Sequence, residues 1–344
     1  MENINFISID SVLVEDVEQT PVYDIELDKN HYFAANGIIS HNCRLLSDGE
    51  MLELAAQSNS FGAGSVGNLG SHRVATINFN RIALESSSYD DYKERLNKRM
   101  EDTRKILKGH KVLIKKLANH GLQMFISNGW VSLQRLFSTF GVMGLFEANL
   151  YMKERFGEYD GDFISDILTQ LNDFVVKITK EDEGFVYNIE QIPGESYAVR
   201  LCNVDKLLFG EGMVPFELYA NQWIPLWHDA TIWEKLAIDG KYNQMLTGGG
   251  IVHATIGERV TSEQAKKIIE YAVNCGCEHF ALNAIYSRCV NGHTTFGDIQ
   301  SCPVCGDKIE TKMTRVVGFL TPVQSWNKTR REWEFPRRTK VNLN

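Results

Sequence analysis

The chain has 344 residues and a formal net charge of −8, from 36 basic and 44 acidic side chains. Hydrophobic residues make up 43% of it, which is enough for a large core and, at this length, for more than one domain. The acidic balance disfavours non-specific nucleic-acid binding. Because we find no apolar run of 18 residues and no apolar signal region, we expect a cytoplasmic protein with no membrane partner.

Residues 1–42 differ in character from the rest of the chain. An alternating, strand-like run leads to a turn and then to the triplet His41-Asn42-Cys43. A Val-Tyr-Asp block that ends at Asp24 and a His-x-Phe block that starts at His31 precede the triplet. In order and spacing these blocks are similar to the C-terminal splicing motifs of inteins. The alternative is a plain β-hairpin, and both can hold because inteins are all-β.

The chemistry of the triplet fits the resemblance to inteins. The side-chain amide of Asn42 can attack its own carbonyl and cleave the chain, while His41 polarises that carbonyl as a general acid. Cys43 is the nucleophile that first takes the upstream segment as a thioester. The resemblance implies assisting roles for Asp24 and His31.

Part of an intein is missing from this segment. An intein also needs an N-terminal nucleophile and a Thr-x-x-His block, and the residues before Val22 contain neither. Because 42 residues are too few for a stable core and the chain starts with Met1, we expect the C-terminal half of a split intein. The partner chain would then carry the other intein half and the N-terminal part of the enzyme.

From Cys43 onward, strand and helix patterns alternate, which is typical of an α/β fold. A Gly-rich loop leads into residues 74–83, which are predicted to form an apolar strand with the polar Asn78 inside it. Residues 90–117 have the apolar spacing of one long helix or two. The Gly-x-x-Gly-Leu-x-Glu-Ala sequence at residues 141–148 resembles a strand-to-helix turn of the glycyl radical enzyme family, and this resemblance implies such a turn here. Thr261 and Gln264 form a capping box for a later helix.

The C-terminal region contains a zinc-type motif. The spacing is Cys-x3-His-x8-Cys-x2-Cys, formed by Cys289, His293, Cys302 and Cys305. Three thiolates and an imidazole suit a closed, tetrahedral structural zinc site. His293 is the weaker member, and Cys277 or His279 is the alternative fourth ligand. The odd total of seven cysteines also favours a reducing compartment over a disulfide framework.

The segment Arg-Val-Val-Gly-Phe-Leu-Thr-Pro, which contains Gly318, follows the zinc-type motif. This segment resembles the radical-bearing loop of anaerobic (class III) ribonucleoside-triphosphate reductases, a glycyl radical enzyme family. The sequence around Cys43 resembles the thiyl-radical loop of the same family. A glycine suits a radical because no side chain obstructs planarity at its Cα. The resemblance implies a glycyl radical at Gly318 and a thiyl radical at Cys43.

The resemblance implies a division of the chain into three parts. Residues 1–42 are the all-β splicing segment, residues 43–285 are part of a ten-stranded α/β barrel, and residues 286–344 hold the zinc site and the glycyl radical loop. Asn78 and Asn68 are the candidates for substrate contact, although a structural role is an equal alternative for each. Glu195 and Asn221 are further candidates, with structural roles favoured. Allosteric effector sites would belong to the partner chain.

The family also implies cofactors and partners. These are structural zinc, a separate radical S-adenosylmethionine activase with an iron–sulfur cluster, a ribonucleoside triphosphate substrate, and a homodimer of the ligated enzyme. The reductant is formate or a thiol protein. One alternative is a formate acetyltransferase-like enzyme, which usually has adjacent cysteines and no zinc. Another is a non-catalytic remnant of an intein fragment and a zinc domain. The basic C-terminal tail indicates a solvated terminus or an activase docking site.

Overall fold

A computed structural model of the chain describes residues 70–257, 259–277, 279–315 and 320–340. Its first part is a parallel sheet of three strands, β1 (Gly70–Asn78), β2 (Leu136–Met143) and β3 (Tyr187–Gln191), in the order β1-β2-β3. Every residue of β3 is buried. Parallel sheets need covered faces, and the chain provides helices between successive strands to cover them.

Five helices lie within this first part. They are α1 (Phe79–Glu85), α2 (Tyr89–Asn119), the short α3 (Met124–Ser127), α4 (Leu145–Phe156) and α5 (Phe163–Glu181). The strand predicted over residues 74–83 is therefore wrong beyond Asn78, because the Asn78 side chain caps α1 and starts a helix there. A 3-10 turn at Leu133–Arg135 precedes β2. The single helix α2 settles the choice between one helix and two over residues 90–117. Ser88 caps its start, because its side chain accepts a hydrogen bond from the Asp91 amide.

The main core lies between the sheet and helices α1, α2, α4 and α5. Helix α2 buries one stripe with helical spacing, formed by Tyr92, Leu96, Met100, Thr103, Leu107 and Lys111. Helix α5 contributes Ile167, Leu168, Leu171, Val175 and Ile178, each of which is buried. Burial of each large apolar side chain contributes about 1.5–3 kcal/mol. This core therefore fixes the sheet on which the candidate site is built.

The second part continues the α/β pattern. Helix α6 (Glu195–Phe209) follows β3, and α7 (Ile232–Asn243), β4 (Val252–Thr255), α8 (Ser262–Asn274) and β5 (Phe280–Asn283) come next. Strands β4 and β5 pair in parallel, and a parallel bridge between Glu190 and Gly249 links them to β3. Thr261 and Gln264 form the predicted capping box at the start of α8. The predicted α/β class is therefore confirmed.

The C-terminal part is an antiparallel sheet. Its strands are β6 (Tyr286–Cys289), β7 (Thr294–Phe296), β8 (Ile309–Arg315) and β9 (Leu320–Pro322), in the order β7-β6-β8-β9. A 3-10 turn at Val323–Ser325, a π-helical stretch at Arg330–Glu334 and a short helix α9 (Phe335–Arg337) end the described chain. Among all residues that the structure describes, no helix has both the length and the apolar character needed to cross a membrane.

Candidate functional site

The predicted radical glycine lies between two strands whose ends are well defined. Strands β8 and β9 pair so that Arg315 lies opposite Leu320, and these two residues flank the 316–319 segment. Several predicted site residues lie outside the described ranges, and their roles stay predictions: Asp24, His31, His41, Asn42, Cys43, Asn68 and Gly318.

The four predicted zinc ligands form one cluster. The ligand atoms of Cys289, His293, Cys302 and Cys305 all lie within 4.8 Å of one another. The Sγ atom of Cys289 is 3.6 Å from Nδ1 of His293 and 3.7 Å from Sγ of Cys305. A zinc ion bound tetrahedrally at about 2.3 Å from sulfur separates its ligands by about 3.8 Å. The donor set and its spacing therefore fit zinc.

The alternative fourth ligands lie outside this cluster. Cys277 is buried beside α7 and its thiol donates to the carbonyl of Leu236. Burial raises the pKa of the Cys277 thiol to about 12, which opposes the thiolate form that a metal requires. His279 does not belong to the cluster either. The geometry therefore selects His293 as the fourth member.

Asn78 lies at the carboxyl end of β1, where a parallel sheet commonly presents ligand-binding side chains. Its Oδ1 accepts the Arg81 amide at 3.0 Å and so caps helix α1, while its Nδ2 donates to Oδ2 of Asp205 at 2.8 Å. Both polar groups of Asn78 thus have partners within the protein. This geometry supports the structural alternative, and a substrate contact stays a prediction.

Asp205 is the centre of this network and was not identified from the sequence. Its side chain is fully buried and accepts hydrogen bonds from Nε of Arg81 at 2.6 Å and from the Tyr219 hydroxyl at 2.7 Å. Asn80 in turn donates to that hydroxyl at 2.8 Å. The network joins α1 to α6 at the carboxyl edge of the sheet. Residues 124 positions apart in sequence form the ion pair, so no local motif could reveal it.

The predicted strand-to-helix turn occurs at Gly144, between β2 and α4. Gly144 has a positive φ of 77°, a conformation that glycine adopts without strain. Glu147 in the first turn of α4 is fully buried, and its Oε1 accepts the Ala220 amide at 2.7 Å. Its Oε2 has no hydrogen-bond partner within the described chain. Burial therefore raises the pKa of Glu147 to about 7, despite the lowering effect of backbone hydrogen bonds.

Two further candidates are available to a ligand. The Nδ2 atom of Asn221 is buried and lacks a partner in the part of the chain that the structure describes. Glu195 begins helix α6, whose N-cap residue Gly194 has no side-chain cap. Glu195 also lines a cavity of about 220 Å³ together with Ser196, Thr321, Ser325, Trp326, Asn327 and Arg330. The cavity lies beside β9, the strand that follows the predicted radical loop.

The Gly-rich turn before β4 has a packing role. A Cβ atom at Gly248 would lie 2.8 Å from the carbonyl oxygen of Ile189, so only glycine allows the backbones to approach this closely. The amides of Gly248 and Gly249 donate to carbonyls of Ile189 and Leu246. A phosphate cradle would need such amides free, so these two amides are not available to bind a phosphate.

The basic C-terminal tail is anchored in the protein, and the interpretation as a solvated terminus is wrong for two of its arginines. Arg330 is 3% exposed and Arg338 is 5% exposed. Both pair with the fully buried Glu334. The sequence did contain a signal, because Arg330, Glu334 and Arg338 recur at intervals of four and so lie on one face of a helix.

The fold and these sites define an α/β protein that carries a three-cysteine, one-histidine cluster next to a strand hairpin. A family model described as anaerobic ribonucleoside-triphosphate reductase matches residues 17–340. The chain therefore belongs to the anaerobic ribonucleoside-triphosphate reductase family, as its motifs predict.

Individual relatives agree with this assignment. An anaerobic ribonucleoside-triphosphate reductase of Haemophilus influenzae is 23% identical over 284 residues, which are 72% of this chain and 39% of that protein. A solved anaerobic ribonucleotide reductase is 35% identical, with a TM-score of 0.73 over 80% of this chain and 45% of that one. The Thermotoga maritima enzyme in complex with dATP and CTP is 34% identical, with a TM-score of 0.69 over 77% of this chain and 45% of its own. The chain thus spans less than half the length of these relatives.

Proposed function

We propose that this chain is the C-terminal part of an enzyme that reduces ribonucleoside triphosphates to 2′-deoxyribonucleoside triphosphates. The family match over residues 17–340 carries this proposal. In the reaction the ribose loses its 2′-hydroxyl as water, and formate or a thiol protein supplies two electrons. The chain spans less than half the length of these relatives, and the proposal assigns the rest of the enzyme to a complementary chain that is joined by the splicing reaction described below. The same membership favours a reductase over a formate acetyltransferase-like enzyme.

The proposed chemistry uses two residues outside the described ranges. A separate radical S-adenosylmethionine activase with an iron–sulfur cluster removes a hydrogen atom from Cα of Gly318. The glycyl radical then takes a hydrogen atom from the Cys43 thiol, and the resulting thiyl radical takes one from the substrate ribose. S–H and sugar C–H bonds are close in strength, so this transfer is reversible. Arg315 and Leu320, which flank the segment that contains Gly318, are paired across strands β8 and β9.

The cavity beside β9 is the proposed place for polar groups of the nucleotide. It combines the uncapped start of the 15-residue helix α6 with the buried guanidinium of Arg330. Nη2 of Arg330 has no hydrogen-bond partner within the described residues, so it can donate to a ligand oxygen. The position at the carboxyl end of β3 agrees with the usual location of ligands in parallel α/β sheets. Asn78, Asn68 and Asn221 are proposed as further substrate contacts.

A direct assay tests the reaction. The assembled reductase is activated without oxygen, and deoxyribonucleotide formation is measured by chromatography. We expect Gly318→Ala to abolish product. The matched control is Gly212→Ala, because a Cβ atom there meets no other atom within 4 Å. Equal product from wild type and Gly318→Ala would reject the glycyl radical mechanism.

The second part of the proposal is a structural zinc ion held by Cys289, His293, Cys302 and Cys305. Such an ion would join β6 to the turns before β8 and contribute directly to folding, with about 10–16 kcal/mol of apparent binding energy in small domains. We expect one zinc per chain by elemental analysis and its loss in Cys302→Ser. The control Cys275→Ser changes a cysteine outside the cluster and should keep the zinc. Full zinc in Cys302→Ser would refute the site.

The third part concerns assembly of the enzyme. We propose that residues 1–42 are the C-terminal half of a split intein, and that splicing joins Cys43 to the complementary chain. The ligated enzyme would complete the ten-stranded barrel and form a homodimer. Asn42→Ala should block release of residues 1–42, whereas Asn30→Ala in the same segment should not. Intact-mass spectrometry of the mixed chains measures both, and normal release from Asn42→Ala would contradict the proposal.

A further inference from the structure

The C-terminal segment contains a buried group of three charges, of which only Arg330 lines the proposed nucleotide cavity. Glu334 is fully buried between two arginines that are almost as deeply buried. Its Oε1 accepts hydrogen bonds from Nε and Nη2 of Arg338 at 3.0 and 2.6 Å, and its Oε2 accepts one from Nη1 of Arg330 at 2.5 Å. Buried charges are costly and contribute little to net stability compared with apolar packing. A group of this kind is better explained by the position that it imposes.

One end of the 316–319 segment is held by this group. Nη1 of Arg338 donates to the carbonyl oxygen of Arg315 at 2.7 Å. Arg315 is the last residue of β8, so the contact falls directly before the segment. The Arg338 guanidinium donates to the Glu334 carboxylate from one edge and to the Arg315 carbonyl from another. A lysine ammonium cannot make both contacts in this forked geometry.

The other end of the segment is held through Trp326. The guanidinium of Arg338 lies over the Trp326 ring, 4.6 Å from its centroid, at cation–π distance. Nε1 of the same tryptophan donates to Oγ1 of Thr321 at 2.9 Å. Thr321 belongs to β9 and follows Leu320, the first residue after the segment. Arg338 therefore contacts one end directly and the other through a single side chain.

The group is in turn fixed to the α/β part of the protein. Nε of Arg330 donates to the carbonyl of Glu195 at 2.9 Å, at the start of helix α6. Beyond Arg338, the amide of Thr339 donates to the carbonyl of Leu226 at 2.8 Å. The Arg330 bond connects the charged group to helix α6, and the Thr339 bond connects the residue after Arg338 to the loop between α6 and α7.

We propose that Arg338, with Glu334 and Arg330, is a clamp that positions the two ends of the 316–319 segment against the α/β part of the protein. Glu334 holds the guanidinium in place, and Arg338 is the positioning residue. The role in catalysis rests on the proposed function, because the clamp would then fix Gly318 relative to the thiol that it oxidises. The geometric role of the clamp does not depend on that function.

Amide hydrogen exchange tests the geometric role on the unactivated full chain. Exchange is measured by mass spectrometry on peptides that span residues 315–321, with β4 as an internal reference. Arg338→Lys keeps the charge but loses the forked contacts, and it should speed exchange in these peptides by about tenfold while β4 is unchanged. Arg337→Lys is the matched control, because Arg337 is exposed and its guanidinium contacts the carbonyl and the ring of Trp333 rather than Arg315 or Trp326.

A second variant protects the test against a folding defect. Thr321→Val removes the acceptor for Trp326 with little change of volume, and should also speed exchange in the 315–321 peptides. Wild-type exchange in both Arg338→Lys and Thr321→Val would overturn the clamp. After activation, turnover per glycyl radical should fall in Arg338→Lys and not in Arg337→Lys. Hydrogen exchange is measured on the unactivated chain and needs no radical. A failure to form the radical would therefore contradict the proposed function without contradicting the clamp.

Discussion

The buried carboxyl group of Glu147 gives a quantitative prediction about pH and stability. The ordinary pKa of the group is 4.5, and burial raises it to about 7 in the folded protein. Because the folded pKa is higher than the unfolded one, the protonated form stabilises the fold. This contribution is fully present below about pH 4.5 and is lost as the pH rises through about 7. The substitution Glu147→Gln removes the titratable carboxyl group and keeps an acceptor oxygen for the Ala220 amide.

The magnitude follows from the two pKa values. One pKa unit is worth about 1.36 kcal/mol, so the full effect is about 3.4 kcal/mol. Between pH 5 and pH 8 the wild type should lose about 2.5 kcal/mol relative to Glu147→Gln. Urea unfolding of both proteins at several pH values measures this difference. Parallel stability curves would refute the reasoning, because they would mean that Glu147 has the same pKa in the folded and unfolded protein.

Three further predictions concern packing, acid stability and the metal. Gly141→Ala should lower the stability of the fold by about 1–3 kcal/mol, because the added Cβ would lie 2.5 Å from Cγ1 of Ile192. Gly109→Ala should raise the stability by up to about 1 kcal/mol, because the space around its Cβ is open. Thermal unfolding of the two variants measures both effects. Burial alone would raise the pKa of Asp182, but hydrogen bonds from Arg104, Lys108 and Tyr187 hold it well below its usual range. The stability from Asp182 is therefore present above about pH 4 and is lost at lower pH, so Asp182→Asn should show a shallower acid unfolding curve and wild-type steepness would contradict this. Removal of zinc by a chelator should lower the melting temperature of the wild type and leave that of Cys302→Ser unchanged.

Local sequence patterns predict those parts of the fold that short-range physics determines. Apolar spacing over residues 90–117 predicts helix α2, and Thr261 with Gln264 predicts the start of α8. The turn at Gly144 is implied by the family resemblance of residues 141–148, and its positive φ is one that glycine adopts without strain. The metal cluster is visible because its ligands lie within a short stretch of sequence. In each case the signal and the structure involve the same neighbouring residues.

Contacts between distant residues could not be predicted in the same way. Asp205 accepts hydrogen bonds from both Arg81 and Asn78, so it fixes the Asn78 side chain within the protein. Residues close to Asn78 in the sequence do not indicate this contact. The basic tail has the composition of a solvated terminus. Its burial depends on aromatic partners such as Trp227, which packs against Trp333 at a centroid distance of 5.4 Å. Amino-acid composition gives the number of charges in the tail. Whether a charged side chain is buried depends on its pairing with an opposite charge in the folded protein.

The most direct test of the reductase assignment is electron paramagnetic resonance of the enzyme after anaerobic activation. We expect a doublet from a carbon radical at Gly318, because one α-hydrogen remains on the radical centre. In protein labelled with α-deuterated glycine the doublet should collapse towards a single line, and in Gly318→Ala it should be absent. A signal that deuterated glycine leaves unchanged, or that survives in Gly318→Ala, would place the radical elsewhere and contradict the account.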